Sequence, residues 1–421
     1  MMSGAPTATS PETSPAMSAL TASSARAGVR LAWSRLRPAP DREHGVPCPR
    51  SSHGLSALRF PGGSEGGASS ASSASPPRLY LHGGEAVART PLRDGAGEGG
   101  ELSTWACEPA VGSGGGGGGG GGWRWRAVAP PSRPPPRVAH AQAAIGGVLY
   151  VHGGRAGIGM GERAMGDLWA LDCTVPGNET WEEVLPREGG GGDPPPTARS
   201  FHRMVALGTD LYVFGGCGAG GRMADLHRYD TVGRTWSRLG ASHLLRGRGG
   251  ANLIRLDGDG GAAKGGRLAV VAGFAGEETS DGHVYDAGPG GGWEEEGMGS
   301  LLKGLRPRSV CVSGTVGGGG SGKSVALVFG GEVDPSELGH EGAGGFENDV
   351  VVLDGATGAV LQASVKGPPG SDGEDGEVWP ENRGWADGDT LDDTLYVFGG
   401  LSGDDQRPRR LGDLWRCDVT F

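Results

Sequence analysis

The stretch from Arg199 to Trp236, RSFHRMVALGTDLYVFGGCGAGGRMADLHRYDTVGRTW, contains one complete structural unit. Its apolar residues alternate in short runs separated by Gly-rich turns, the pattern of half-buried antiparallel strands. Arg199-Ser-Phe-His202 opens the first strand, LYVFGG is the second, DLHRYD from Asp225 to Asp230 the third, and Trp236 begins the fourth. The glycine pair permits backbone geometry that a Cβ would forbid. A sheet this small cannot bury its own apolar face, so the unit requires neighbours like itself.

Those neighbours are present. The apolar run ending in a glycine recurs as LYLHGG to Gly84, LYVHGG to Gly154, LYVFGG to Gly216, LAVVAG to Gly273, ALVFGG to Gly331 and LYVFGG to Gly400. Intervals of 57 to 70 residues lie near the upper end of the period of propeller blades. The second copy repeats the order of the third, with Arg137, DLWALD from Asp167 and Trp181. The sixth copy stops after DLWRCD and Val419-Thr-Phe421, without a fourth strand, and Arg30-Leu-Ala-Trp33 resembles the missing piece. The expectation is an all-β chain: a six-bladed kelch-type β-propeller over residues 30–421, its ring closed by an N-terminal strand, preceded by a disordered tail over 1–29. Gly-rich stretches, including the polyglycine run 114–122, read as loop inserts between strands.

Composition agrees. The 421 residues include 87 glycines and 29 prolines, which disfavours a helix-rich enzyme, while 11 tryptophans supply large buried surfaces for packing blade on blade. A net charge of −11 without a long basic run argues against nucleic acid, and the lack of a long apolar stretch argues against a membrane span. Six cysteines without a CxxC pair indicate neither a zinc ribbon nor a disulfide framework. The Ser/Thr/Ala-rich N-terminus lacks the apolar core of a secretory signal. A cytoplasmic chain is expected, with nuclear placement and an organellar transit peptide as the open alternatives.

In a four-stranded meander the start of the first strand and the end of the second share an edge. Arg50, Arg137, Arg199, Arg248, Arg308 and Arg383 stand before the first strands, and Glu85, Arg155, Cys217, Phe274, Glu332 and Leu401 follow the glycines. The arginines admit two readings: guanidinium groups gathered at a channel mouth for an anion, or a structural feature paired with loop carbonyls and acids. His53, His140 and His202, each three positions after its arginine, read as satisfied strand positions. The segment from Glu332 to Phe346, EVDPSELGHEGAGGF, has no counterpart in the other copies and brings acids and His340 to the expected mouth; such a donor set suits Fe(II), Mn(II) or Zn(II).

The motifs PPPRVAH, VFGGCG, GRGGANL, VVAGFAG, GGEVDPSELGHEGAG and NRGW together resemble the plant specifier proteins of glucosinolate breakdown and their kelch relatives. The resemblance implies Fe(II)-dependent diversion of a thiohydroximate O-sulfate towards a nitrile. In that family iron is held by Glu-x3-Asp-x3-His. Glu332 and His340 match the outer positions; Ser336 stands in place of the Asp, so that Asp334 or Glu337 would have to supply the missing carboxylate. Arg137 and Arg199 match the sulfate-binding arginines by position, and Trp385 would line the pocket. The partner expected on this reading is a small anionic, sulfated molecule. The alternative is a non-enzymatic scaffold that holds a protein at its loop face; a copper radical oxidase ranks below both, for want of a Tyr/His copper set.

Overall fold

The computed structural model describes residues 28–60, 77–94, 102–110, 122–157, 164–187, 189, 191–256, 266–317, 323–366 and 379–421. They form six blade sheets and two two-stranded hairpins, Glu85–Val87 with Thr90–Pro91 and Glu332–Asp334 with Gly345–Phe346. Blade 1 comprises Gly54–Leu58, Arg78–His82, Thr104–Pro109 and Trp123–Ala127, and blade 2 comprises Ala141–Ile145, Val148–Arg155, Ala164–Asp172 and Thr180–Glu183. Blade 3 comprises Arg203–Leu207, Asp210–Gly218, Gly221–Asp230 and Thr235–Ala241; blade 4 comprises Asn252–Leu256, Arg267–Phe274, Glu278–Asp286 and Trp293–Gly297. Blade 5 comprises Val312–Gly317, Ser324–Phe329, Val350–Asp354 and Val360–Leu361. Blade 6 holds Asp387–Leu391, Thr394–Ser402 and Arg409–Thr420, and takes its next strand, Val29–Leu36, from the other end of the chain. Among the described residues no helix is long and apolar enough to cross a membrane.

The closure has the expected partners and one unexpected one. Val29–Leu36 runs antiparallel to Arg409–Thr420, with Arg30 opposite Thr420 and Leu36 opposite Leu414. On its other edge it pairs in parallel with Ala363–Lys366, so blade 6 has five strands. The extra strand continues the chain of blade 5 into the sheet of blade 6, covering an edge that would otherwise be unpaired. Val29 already belongs to the strand and is buried, so the tail boundary expected at residue 29 falls one residue too late. Trp33 is 0% exposed and packs its ring 4.9 Å from Phe329, 6.0 Å from Trp379 and 6.5 Å from Trp415. Most of the Gly-rich inserts, and residues 1–27 of the tail, lie outside the described residues.

Arg199 to His202 do not open the first strand of blade 3, which begins at Arg203. They form the turn leading into it, and Ser200 pairs as an isolated bridge with Cys217. The same bridge recurs in every blade, and beside it two backbone rings run around the axis. In the first, the N–H of Gly84, Gly154, Gly216, Gly273, Gly331 and Gly400 donates to the carbonyl of the next blade's arginine, at 2.8–3.1 Å. In the second, Ser52, Ala139, Phe201, Gly250, Val310 and Trp385 donate in turn to one another's carbonyls, again at 2.8–3.1 Å. All six members of that ring have positive φ, including the bulky Phe201 (58°), Val310 (49°) and Trp385 (59°). Such backbone is costly for these side chains and persists because the closed ring over-determines it.

The glycine pair follows from this crowding. Gly215 and Gly216 have φ of 66° and 95°, and a Cβ on Gly216 would lie 2.7 Å from Ser200 O and 2.7 Å from His202 Cβ. His53, His140 and His202 pack against the corresponding glycines of the preceding blade and are buried, but each stands one residue before its strand. Among the described residues the ring nitrogens of His140 find no hydrogen-bond partner while His202 Nε2 lies 2.9 Å from His152 Nδ1, so the reading as satisfied strand positions is corrected. Desolvation holds the pKa of each well below the ordinary imidazole value, with the nearby arginines reinforcing the shift.

Candidate functional site

The arginines that precede the first strands are interior clamps. Arg199 is 0% exposed; its Nη1 donates to Gly215 O (2.9 Å) and Asp225 Oδ1 (2.8 Å), its Nη2 to Asp225 Oδ2 (3.0 Å) and its Nε to Thr197 O (2.9 Å). Arg137 does the same with Gly153 O (2.9 Å) and the two carboxylate oxygens of Asp167 (3.0 and 2.8 Å). Arg248, Arg308 and Arg383 repeat the fork with Asp281, Asp349 and Asp413. Blade 1 has Ser103 at the acid's position, and there Arg50 donates to the carbonyls of Gly83, Ser103 and Leu102 instead. Each clamp ties the approach to strand one to the start of strand three, where backbone groups would otherwise go unpaired. The expectation that Arg137 and Arg199 hold a sulfate is therefore corrected: their forks are filled by the blade's own carboxylates, and no guanidinium edge is left for a ligand. The paired-arginine reading describes them.

Three of the residues one step after the glycines, Cys217, Phe274 and Glu332, do reach the mouth. A cavity of about 240 Å³ opens there between blades 3 to 6, walled by Phe201, Phe274 and Trp385, with Cys217, Arg222, Glu332 and Ser336 also on its lining. Phe201 meets Trp385 edge to face at 5.7 Å, a contact made possible by the left-handed ring positions both residues occupy. Arg222 places its guanidinium carbon 4.7 Å over the Phe274 ring, and Arg155 lies 5.6 Å over Phe201 while donating from Nε to Ser200 Oγ (2.9 Å). Both guanidinium groups thus rest on aromatic faces, and Arg222 is on the cavity lining.

Glu332, 8% exposed, is the carboxylate at the base of the cavity. Burial pushes its pKa up to about 7, opposed by the backbone N–H of Ser336 and reinforced by the charge of Asp405. Its neighbour Glu278 is pushed up to about 8 by burial and by Glu332, although Ser309 Oγ donates to its Oε1 (3.1 Å). The other expected metal ligands diverge. Asp334 is exposed and pairs with Arg306 (3.1 Å), and Glu337 is exposed. The Ser336 hydroxyl donates to Asp405, a carboxylate from the far end of blade 6's hairpin. His340 belongs to the short 3-10 turn Gly339–Glu341, and its side chain lies outside the described residues. Among the described residues no group of three or more His, Cys, Asp or Glu is arranged to hold a metal ion.

Sequence reasoning did not single out Glu278, Asp405, Phe201 or Arg222. The signal for Phe201 was present: with Trp385 it is one of two aromatics two residues after a clamp arginine. Glu278, Arg222 and Asp405 lie on the hairpins between second and third strands, where no repeated motif marks them.

A family model for the KLHDC2/KLHL20/DRC7 Kelch-repeats domain matches residues 122–295. The chain is 26% identical over 265 residues to the N-(sulfonatooxy)prop-2-enimidothioate sulfolyase of Thlaspi arvense, covering 58% of this chain and 65% of that protein. It is 31% identical over 164 residues to the leucine-zipper-like transcriptional regulator 1 homolog of Drosophila melanogaster, covering 37% of this chain and 15% of that one. The matches thus span less than two thirds of either relative. The solved structure of YjhT superposes with a TM-score of 0.55 at 14% identity, over 88% of this chain and 95% of that chain, and so shares the fold. Six clamped blades closed by an N-terminal strand, taken with these matches, make this chain a kelch-repeat β-propeller protein that resembles the plant specifier proteins.

Proposed function

We propose that the mouth cavity binds a small sulfated molecule with an apolar tail and that the chain acts on it as a specifier-type sulfolyase. The observation that carries this reading is the combination, in one cavity of about 240 Å³, of three aromatic walls, the Arg222 guanidinium and the buried Glu332. The aromatic rings take the apolar tail. Arg222, with Arg155 beside it, faces the sulfate, whose charge grows as it departs, so donors fixed in place stabilise the later state more than the earlier one. Glu332, with a pKa near neutrality, can hold or accept a proton at the reacting end.

Iron, which the resemblance implies, would rest on Glu332 and His340. The described residues complete no such site, because the hydroxyl of Ser336 is engaged by Asp405 and Asp334 by Arg306. Fe(II) is therefore a variable in the test.

The test has two parts. Protein purified without oxygen is incubated with a thioglucosidase and a glucosinolate, with and without Fe(II), and nitrile is measured against isothiocyanate. Separately, calorimetric titration compares an intact glucosinolate with its desulfo form. The expected results are nitrile above the enzyme-free control, preference for the sulfated form, and roughly tenfold weaker binding by Arg222→Ala, about 1.4 kcal/mol. Absence of nitrile under every condition, together with equal binding of both forms, would refute the proposal. A protein partner held at the same face is the alternative; Leu338, 54% exposed on the loop beside the cavity, favours it. Capture of a protein that is lost in Leu338→Asp but kept in Arg222→Ala would decide for it.

A further inference from the structure

Successive blades meet through one repeated set of positions, and comparing these boundaries exposes a gap between blades 2 and 3. At the boundary of blades 1 and 2 the set is closed. Tyr80 donates its hydroxyl to Glu179 Oε1 (3.1 Å), and Arg126, one residue after Trp125, forks onto the same carboxylate, with Nη1 3.1 Å from Oε2. Glu179 stands two residues before Trp181. At the boundary of blades 6 and 1 the position two before Trp125 is Trp123, and its ring fills the space against Tyr396 at 5.9 Å.

At blades 2 and 3 the corresponding residues are Tyr150, Glu182 one after Trp181, and Arg234 two before Trp236. The charges are those of the closed boundary with the blades exchanged, yet Glu182 and Arg234 form no ion pair. A cavity of about 300 Å³ lies between them. One reason is local: opposite Tyr150 the third strand carries Ala170, where blades 3 and 6 carry Arg228 and Arg416 opposite Tyr212 and Tyr396. Asp172 and Glu182 line it from blade 2 and Arg234 from blade 3, with Tyr150 and Tyr229 also on its lining; Asp172 Oδ1 accepts from Thr174, which leaves its Oδ2 for a ligand. Arg234 lies beside the Tyr229 hydroxyl, and Thr231 beside that of Tyr150. The cleft is built at the ends of the strands opposite the mouth and shares no lining residue with the cavity there.

We propose that this cleft binds a zwitterion of amino-acid size, its carboxylate on Arg234 and its ammonium on Glu182 and Asp172. A guanidinium fork suits a carboxylate, and paired carboxylates beside aromatic faces suit an ammonium. A ligand with both charges restores across the gap the pairing that Arg126 and Glu179 make directly one boundary away. A ligand with one charge satisfies one wall and leaves the other as it is. Because Arg234 and Glu182 are exposed, solvent screens both contacts and the affinity is modest.

The experiment is calorimetric titration of the full chain with L-alanine, L-glutamine and L-phenylalanine, and with butyrate and butylamine as single-charge controls. At least one amino acid is expected to bind with Kd below about 5 mM, or about −3 kcal/mol, and at least tenfold more tightly than either control. Arg234→Ala and Glu182→Gln are each expected to weaken it at least fivefold while leaving the melting temperature and mouth binding unchanged. Failure of all three amino acids to bind, a control that binds as tightly as the best amino acid, or unaltered binding in both variants would overturn the proposal. The comparison with the controls uses the wild-type chain, so it stands even if a variant does not fold.

Discussion

Replacing Arg199 by alanine separates an interior clamp from an anion receptor. The side chain is fully buried, and its partner Asp225 is 17% exposed. Alanine removes the donors to Gly215 O and Thr197 O and leaves a carboxylate facing two uncovered carbonyls. Breaking a buried pair in this way costs about 3–5 kcal/mol. His227 Nε2 lies 2.9 Å from Asp225 Oδ2 and can compensate in part, which places the expected cost near the lower figure. A ring of this size has an unfolding entropy of about 0.8 kcal/mol/K, so the melting temperature falls by about 4 °C.

The pH dependence carries a sign. Burial opposes ionisation of Asp225, but the bonds from His227 and Arg199 outweigh it and hold the carboxyl below its usual range. A carboxyl depressed in the folded state contributes stability present above its unfolded pKa and lost as pH falls through the folded one. The gap between wild type and Arg199→Ala is therefore widest above about pH 5 and narrows towards pH 3, where the unpaired carboxyl of the variant takes up a proton. Scanning calorimetry across that range is the assay. If Arg199→Ala melts within 1 °C of wild type at pH 7 yet loses anion binding, the arginine faces the mouth and the clamp assignment fails.

Three further outcomes are expected. Truncation at residue 40 removes Val29–Leu36 and with it Trp33, whose burial alone is worth about 3–5 kcal/mol, whereas removal of residues 1–25 leaves the melting curve in place; equal curves would contradict ring closure. Gly216→Ala, at φ 95° with its Cβ 2.7 Å from a backbone oxygen and from His202, is expected to cost more than about 2 kcal/mol, checked by denaturant titration. Asp389, in the axial channel lined by the first strands, is pushed by burial up to about 6 against the N–H bonds of Ala57 and Thr390. Its raised value means that the contribution of Asp389 to stability is least unfavourable below about pH 4 and declines as pH rises towards 6; melting curves of Asp389→Asn should lack that component of the pH dependence.

The repeat made the architecture legible because the blades repeat one order: an arginine, an apolar run, a glycine at its end and, in five of the six, an aspartate in or beside the third strand. A propeller is a nearly one-dimensional stack, so each unit declares itself locally and the count gives the ring. Even the closure could be read, since a sixth blade lacking its last strand requires one from Trp33 and its neighbours. The parallel strand Ala363–Lys366 could not, because nothing in its own residues marks the sheet it joins.

The site divided along the same line. Alternation and turn placement in the sequence put the arginines before the first strands and the residues after the glycines, Glu332 among them, at one edge, whereas Trp385 was expected there only from the family resemblance. Which arginines are interior clamps could be told only from the folded chain. Arg199 and Arg222 are both cations near that edge, and what distinguishes them is whether a carboxylate from the third strand lies within reach of the guanidinium fork. Likewise the charges of Glu182 and Arg234 match those of Arg126 and Glu179, and whether they meet depends on side-chain volume contributed by other strands. Pairing across strands and blades is a property of three-dimensional distance, which the spacing of residues along the chain does not contain.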